Sequence, residues 1–372
     1  MKFIPVNRPL LTKSDLINVN KTLKSGWISS SGKEIINFEK KFSKFIGHKF
    51  GVTVSSGTAA LDIAVKLAEL KKGDEIIIPN FTIISNALPA IKEKVKLKVV
   101  DCEKHDWNLN LENIKKKITK KTKIIIATHI YNFPCRVDLI RKICDKKKII
   151  LIEDCAEAFG QKIYNERCGS FGHISIFSFY ANKQITTGEG GMITTNSKVY
   201  CEKAKSLRNL SFGKKNRFDH SDIGWNYRMT NLQASLGLSQ LGRINEIIDR
   251  RHKIGKLYYE RLKNNKNIFI QPPKNKFSKN IYWVIAILIK NKKLKIDGLK
   301  ASKILKKLGI ETRPFFWPMH KQKILKKYSF YKSSNYKNSD YISKYGFYLP
   351  SSLDLKISEI NYICKIMNKI FR

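Results

Sequence analysis

Acidic residues are scarce in this chain: 30 Asp and Glu stand against 72 Lys and Arg in 372 residues, a formal charge of +42. Such a field attracts polyanions at low salt. Yet the lysines are scattered, as in Lys115-Lys116-Lys117, Lys146-Lys147-Lys148 and Lys292-Lys293. No helix-turn-helix, RNP or zinc-finger pattern accompanies them, which argues against a nucleic-acid partner. The joint abundance of Lys, Ile and Asn reads as compositional drift at solvated positions. Metal-ligand spacing is missing too. The seven cysteines are odd in number and form no CxxC or Cys/His pattern, which excludes a small disulfide scaffold, gives no metal centre, and points to reduced thiols in a cytoplasmic setting. Long hydrophobic runs are also absent. The longest, Ile281 to Ile289, falls far short of the roughly 20 residues that span a bilayer and reads as a core strand. Met1 to Leu11 lacks the charged-then-apolar order of a signal peptide. There are no internal repeats, and the one low-complexity stretch, Lys326 to Lys337, reads as a surface loop with frayed helix.

What is present is an alternation of short strands and amphipathic helices, with 42% hydrophobic residues to fill a large core. Strands are expected at Gly51–Ser55, Glu75–Pro79, Leu97–Asp101, Lys123–His129, Ile149–Asp154, Ser175–Tyr180 and Gly191–Thr195. Helices are expected at Leu61–Leu70 and Leu139–Lys146, where apolar residues recur every three or four positions. The pattern is α/β, with a mainly parallel seven-stranded sheet. One long helix over Asn231–Leu262 is expected to leave it. Strand candidates at Asn267–Gln271, Tyr282–Ile289 and Glu311–Phe316, with a helix at Lys300–Leu308, suggest a smaller α+β unit. The expected division is 1–240 and 241–372.

Three distant segments carry candidate chemistry. Phe177 to Gly191 sets Lys183 between an aromatic strand and a glycine-rich turn. A lysine reacts with a carbonyl only when it is unprotonated and fixed in place, and this loop fixes it. A solvated lysine is the competing reading. Ser55 to Val65 ends a strand and starts a helix, so its free N–H groups, Gly57, Ser56 and Thr58 suit a phosphate; an ordinary helix cap explains them equally. Ile149 to Gly160 is an apolar run that stops at Asp154 and Glu157, at the carboxyl end of a parallel strand where ligands bind in open α/β sheets. Asp154 could hold a pyridine nitrogen protonated, or cap the next helix.

Together these segments resemble the DegT/DnrJ/EryC1/StrS sugar aminotransferases, of the fold type I pyridoxal phosphate (PLP) class. The resemblance spans nearly the whole chain, from Gly26-Trp27-Ile28-Ser29-Ser30-Ser31-Gly32, through Lys183 to Gly191 and Gly224 to Ala234, to Arg313-Pro314-Phe315-Phe316 and Pro318-Met319-His320. It implies PLP as cofactor, bound covalently by Lys183, which also shuttles the proton. It places Asp154 on the pyridinium nitrogen and Glu157 on the ring hydroxyl. Gly57, Thr58 and Ser178 become phosphate contacts, and Asn226 reaches the phosphate of the neighbouring subunit in a homodimer with shared active sites. Trp27, Ser29, Arg228 and His320 become candidate substrate contacts. Ile83 stands where many relatives stack an aromatic ring on the cofactor.

The local sequences of Trp27-Ile28-Ser29-Ser30, Glu157, Asn182-Lys183 and Asn226 to Ala234 are most similar to family members that aminate GDP-4-keto-6-deoxymannose at C4. That resemblance implies amino transfer from L-glutamate to give GDP-perosamine for cell-surface polysaccharide such as O-antigen. UDP- or dTDP-linked ketosugars, with reaction at C4 or C3, are the alternative substrates, and a non-catalytic basic binding protein is the remote one. Trp317 and Asn132 depart from the expected pattern and are expected to border the nucleotide-sugar pocket. His129 is read either as a pocket residue or as a satisfied strand-end histidine, and Glu189 as a structural part of the lysine turn.

Overall fold

A computed structural model describes residues 3–213, 215–220, 222–328 and 335–372. Runs of β-branched residues punctuated by turns give thirteen strands among the described residues. They are β1 (Phe50–Val54), β2 (Glu75–Pro79), β3 (Lys96–Val100), β4 (Thr122–Thr128), β5 (Ile150–Asp154), β6 (Lys162–Ile163), β7 (Glu166–Arg167), β8 (Ile174–Ser178), β9 (Gly191–Thr195), β10 (Ile268–Ile270), β11 (Ile285–Ile289), β12 (Arg313–Pro314) and β13 (Gly346–Leu349). Seven form the main sheet in the order β1-β9-β8-β5-β4-β2-β3. β9 runs antiparallel to both its neighbours, and the remaining pairs are parallel. Glu75-Ile76-Ile77-Ile78-Pro79 is buried at every position, as a strand covered on both faces must be.

The two faces hold separate apolar layers. On one, the helix Lys33–Ile46 lays Phe38 and Phe42 against Phe177 and Phe179, and the rings of Phe42 and Phe159 stack at 4.8 Å. On the other, the helix Gly57–Lys66 buries Leu61, Ile63 and Val65 against Ile76, Ile78 and Ile176. A second sheet, in the order β10-β11-β13-β12, packs its own layer around Ile287, Ile289 and Phe347. Aromatic side chains join the two regions: Tyr131 and Phe81 contact Phe315 and Phe316. Several of the scarce acids lie inside. Asp15, Glu39, Asp62, Glu75, Glu153, Asp154 and Glu157 are all buried.

Two expected elements differ from those observed. The helix expected over Asn231–Leu262 is two helices, Asn231–Gly242 and Ile244–Leu262, separated at Arg243 with φ −110° and ψ 15°. Gly242 closes the first, and the Arg243 guanidinium bonds Asp15 at 2.9 Å, which fixes the bend against the N-terminal helix Lys13–Lys24. The strand expected at Glu311–Phe316 pairs only over Arg313–Pro314, because proline has no N–H to continue the ladder. In the Lys326–Lys337 stretch, residues 329–334 lie outside the described residues. Beside them Tyr336 is buried, with its ring 4.7 Å from that of His320, and a helix starts at Lys337.

Gly255 sets the closeness of the Ile244–Leu262 helix to the second sheet: a Cβ there would lie 2.1 Å from the ring of Tyr282. Gly255→Ala should gain up to ~1 kcal/mol of helix propensity but lose about 1–3 kcal/mol to overpacking. The expected net result is a lower unfolding midpoint in urea, with the transition slope unchanged.

Candidate active site

The carboxyl ends of β4, β5 and β8 and the first turn of the Gly57–Lys66 helix surround a cavity of about 400 Å³. Lys183, Asp154, Glu157, Gly57, Thr58 and Ser178 all line it, together with Ile83, Tyr131 and Trp283. The helix start is capped by Ser56, whose hydroxyl accepts from the Ala59 N–H at 3.1 Å. Earlier first-turn amides have no partner within a helix and point along its axis, which suits an anion. Gly57 lets this turn sit directly on β8, since a Cβ there would meet Ser178 Cβ at 2.9 Å. The same close approach brings the Ser178 hydroxyl to the helix start.

Lys183 is held by its loop. Its N–H donates to the Tyr180 carbonyl at 2.9 Å, and Thr186 and Thr187 both bond the Phe179 carbonyl. Glu189 contributes through its main chain, its carbonyl accepting from Thr187 Oγ1 at 2.6 Å and Gln233 Nε2 at 2.7 Å. The lysine Nζ lies 4.0 Å from the centroid of the Trp283 ring, and Trp283 Nε1 donates to the Asn182 carbonyl at 2.9 Å. Burial lowers the affinity of this amine for its proton; Glu157 and Asp154 oppose the effect and Arg251 adds to it.

Asp154 is fixed by donors from three directions. Asn86 Nδ2 donates at 3.0 Å and the Ala156 N–H at 3.0 Å, while Thr128 Oγ1 steadies Asn86 at 2.8 Å and approaches the carboxylate at 3.4 Å. Burial raises its pKa despite these bonds. A cationic ring nitrogen seated against it would reverse that direction. Glu157 accepts the Tyr131 N–H at 2.7 Å, and burial pushes its pKa up to about 7. Tyr131 takes the left-handed conformation, φ 59°, and its hydroxyl accepts from the Phe316 N–H at 3.1 Å. Asn86, Thr128, Tyr131 and Trp283 were not among the residues expected from sequence. Asn86 and Tyr131 follow apolar runs as ordinary polar and aromatic residues, and only their position against Asp154 and Glu157 gives them a role.

The other candidates lie outside this cavity. Asn226 is exposed, in a bridge with Asn209. Arg228 donates to Asn209 Oδ1 at 2.8 Å and lines a separate basic cavity of about 460 Å³ with Lys205, Arg208 and Arg217. Trp27 is exposed, and the carbonyls of Trp27 and Ser29 accept from Asn231 at 2.7 and 2.6 Å. His320 is anchored by Asn80 and by Asp340 at 3.2 Å. The expectation that Asn132 borders a sugar pocket is corrected: it is buried, donates to Gln271 at 3.1 Å and accepts from the Val284 N–H at 3.2 Å, tying the β4 loop to the second sheet. Trp317 is exposed, and its indole donates to the Lys321 carbonyl at 3.3 Å. His129 is a satisfied internal residue, bonded to Glu153 at 3.0 Å and to the Cys135 N–H at 3.1 Å.

A buried lysine beside two carboxylates and a helix-end anion site, at the carboxyl ends of parallel strands, is an arrangement suited to covalent lysine chemistry on an anionic ligand. The DegT/DnrJ/EryC1/StrS aminotransferase profile matches residues 9–368, and the chain belongs to that family. It is 36% identical to GDP-perosamine synthase of Escherichia coli O157:H7, over 100% of this chain and 99% of that protein. Among solved structures it is similar to PseC of Helicobacter pylori, an aminotransferase involved in the biosynthesis of pseudoaminic acid, with TM-score 0.93, 25% identity, and coverage of 100% and 99% of the two chains. It is also similar to GDP-4-keto-6-deoxymannose-3-dehydratase with a trapped PLP-glutamate geminal diamine, with TM-score 0.90, 25% identity, and coverage of 99% and 100%.

In the cofactor-free protein the Glu157 carboxyl holds its proton to a higher pH than it would unfolded, so its contribution to stability is full below about 4.5 and is lost as pH rises through about 7. Glu157→Gln keeps an acceptor for the Tyr131 N–H without the ionisation. Calorimetry should find the variant more stable than the parent by about 1–3 kcal/mol at pH 8 and nearly equal to it at pH 4.5.

Proposed function

We propose that this chain is a PLP-dependent aminotransferase that moves the amino group of L-glutamate onto C4 of a GDP-linked 4-keto-6-deoxy sugar, GDP-4-keto-6-deoxymannose, for a cell-surface polysaccharide. The observation that carries the reading is Lys183 in one cavity with Asp154 and Glu157, in a chain alike over its full length to GDP-perosamine synthase. The residues fit the cofactor on physical grounds. The first turn of Gly57–Lys66 and Ser178 suit its phosphate, Asp154 its ring nitrogen, Glu157 its ring hydroxyl, and Ile83 supplies an aliphatic wall.

When bound, PLP supplies a carbon that takes up the donor's amino group and a ring that accepts the electron pair released at carbon. Burial weakens the hold of the Lys183 amine on its proton, which favours its use as a nucleophile and would let it carry a proton to the sugar carbon. The Trp283 ring beneath Nζ keeps the amine from swinging away between those duties. Asp154, steadied by Asn86 and Thr128, favours the charged ring. Tyr131, Phe316 and Tyr348 give one side of the cavity an aromatic wall.

Asn226 and Arg228 do not line their own chain's cavity, and we assign them to the site of a second copy in a homodimer. Exposed Leu16, Ile17 and Leu23 on the helix Lys13–Lys24, with Trp27, Ile28 and Ile36, give that copy an apolar face to cover. In the same reading 1–240 form the large cofactor domain and 241–372 the smaller one, with the helix break at Arg243 beside the boundary. All seven cysteines are free and buried, which suits a reducing, cytoplasmic setting.

A spectrum of the protein with PLP is the test. A near-visible band should form, shift on adding L-glutamate and return on adding GDP-4-keto-6-deoxymannose. Lys183→Ala should lack the band. A glutamate shift that only a UDP- or dTDP-linked ketosugar reverses would move the substrate to that alternative, and a band that persists in Lys183→Ala would remove Lys183 from its role.

A further inference from the structure

Beside the main chain of Lys183, in a small gap separate from the cavity that holds the two carboxylates, the Ile244–Leu262 helix places Arg251. Its residue exposure is 3%. One guanidinium nitrogen, Nη1, donates to the Trp283 carbonyl at 3.0 Å and the other, Nη2, to the Lys183 carbonyl at 3.4 Å, while Nε has no partner among the described residues. Arg8, which borders the same narrow gap, is paired with Asp354. Arg251 has no such carboxylate among the described residues, and the gap between it, Lys183, Gln184, Thr186 and Gln240 measures about 10 Å³, no more than one water can occupy.

A buried guanidinium without a counter-charge is costly to keep. An apolar residue would pack there without that cost, and a lysine would keep the charge but lose the fork that reaches two carbonyls at once. Both features, the fork and the unpaired charge, are directed at the reactive loop. The carbonyls it grips belong to Lys183 itself and to Trp283, the ring that lies under the lysine amine.

We propose that Arg251 is a positioning residue for Lys183: it clamps the lysine's main chain to that of Trp283 and sets an unopposed positive charge near the amine. The proposal rests on Lys183 being the reactive lysine. Burial weakens that amine's hold on its proton, Glu157 and Asp154 oppose the effect, and Arg251 on the helix adds to it. The balance leaves more neutral amine at a given pH than the two carboxylates alone would allow.

The two contributions separate in Arg251→Lys and Arg251→Met, each first confirmed as folded by circular dichroism. In cofactor-free protein, the pH midpoint for labelling Lys183 with an amine-selective reagent, resolved by peptide mass spectrometry, should rise by about half to one pH unit in Arg251→Met and stay near the parent value in Arg251→Lys. Formation of the band with added PLP should be about tenfold slower in both, because both lack the fork. Unchanged midpoint and unchanged band kinetics in Arg251→Met overturn the proposal, and so does a loss of thermal stability with neither readout moved, which is what a packing role alone produces. If the band persists in Lys183→Ala, it is the assignment of Lys183 that falls; if it disappears there while Arg251→Met behaves as the parent, only the clamp does.

Discussion

Everything at the site depends on removing a lysine and two carboxylates from bulk water together. In water Lys183 would be protonated and Asp154 and Glu157 ionised, three groups with little influence on one another. Burial shifts all three, the amine in the direction a nucleophile needs and Asp154 in one that a cationic ring seated against it would reverse. It weakens the amine's hold on its proton and strengthens that of the carboxyls. Because the groups are close, no one of them can be replaced without shifting the others. The surrounding hydrogen bonds from Asn86, Ala156 and Tyr131 hold the geometry in which this mutual adjustment operates.

β5 shows how economically the sheet serves this end. Glu153 and Asp154 are neighbours on one strand and so point to opposite faces. Asp154 faces the cavity. Glu153 faces inward, taking the N–H groups of Gly169, Phe171 and Gly172 and the His129 ring. The internal carboxylate anchors the loop after β7 to the sheet, while its neighbour is left for a ligand. His129, read from sequence as either pocket or core, belongs to the anchoring side.

Strands of the main sheet could be read from the sequence because each is a brief apolar run ended by turn residues. Glu75–Pro79 and Gly191–Thr195 were located to the residue. The lysine, aspartate and helix-start segments, which the fold gathers around one cavity, stood out because each has a distinctive local composition. What stayed hidden was long-range. Nothing near Asn86 marks it as the partner of a residue 68 positions away, and Arg251 is one basic residue among many on an amphipathic helix. Trp283 lies inside an apolar run that reads as core. The break at Arg243 was missed because the apolar period of the helix continues on both sides of Gly242, and the bend is set by Asp15, far away in sequence. Asn132 was placed wrongly because a departure from a family pattern says that a position differs, not which way its side chain points.

The buried acids give the chain's lopsided composition a further meaning. Asp15, Glu39, Glu75 and Glu153 each satisfy main-chain or side-chain donors inside the fold, so exchanging any of them for lysine would leave those donors facing a cation. Solvent-facing positions carry no such veto. Mutational pressure toward lysine can therefore run almost freely over the exterior while the interior charges stay fixed, and two relatives could differ widely in isoelectric point yet keep the same electrostatics around the buried Lys183 amine.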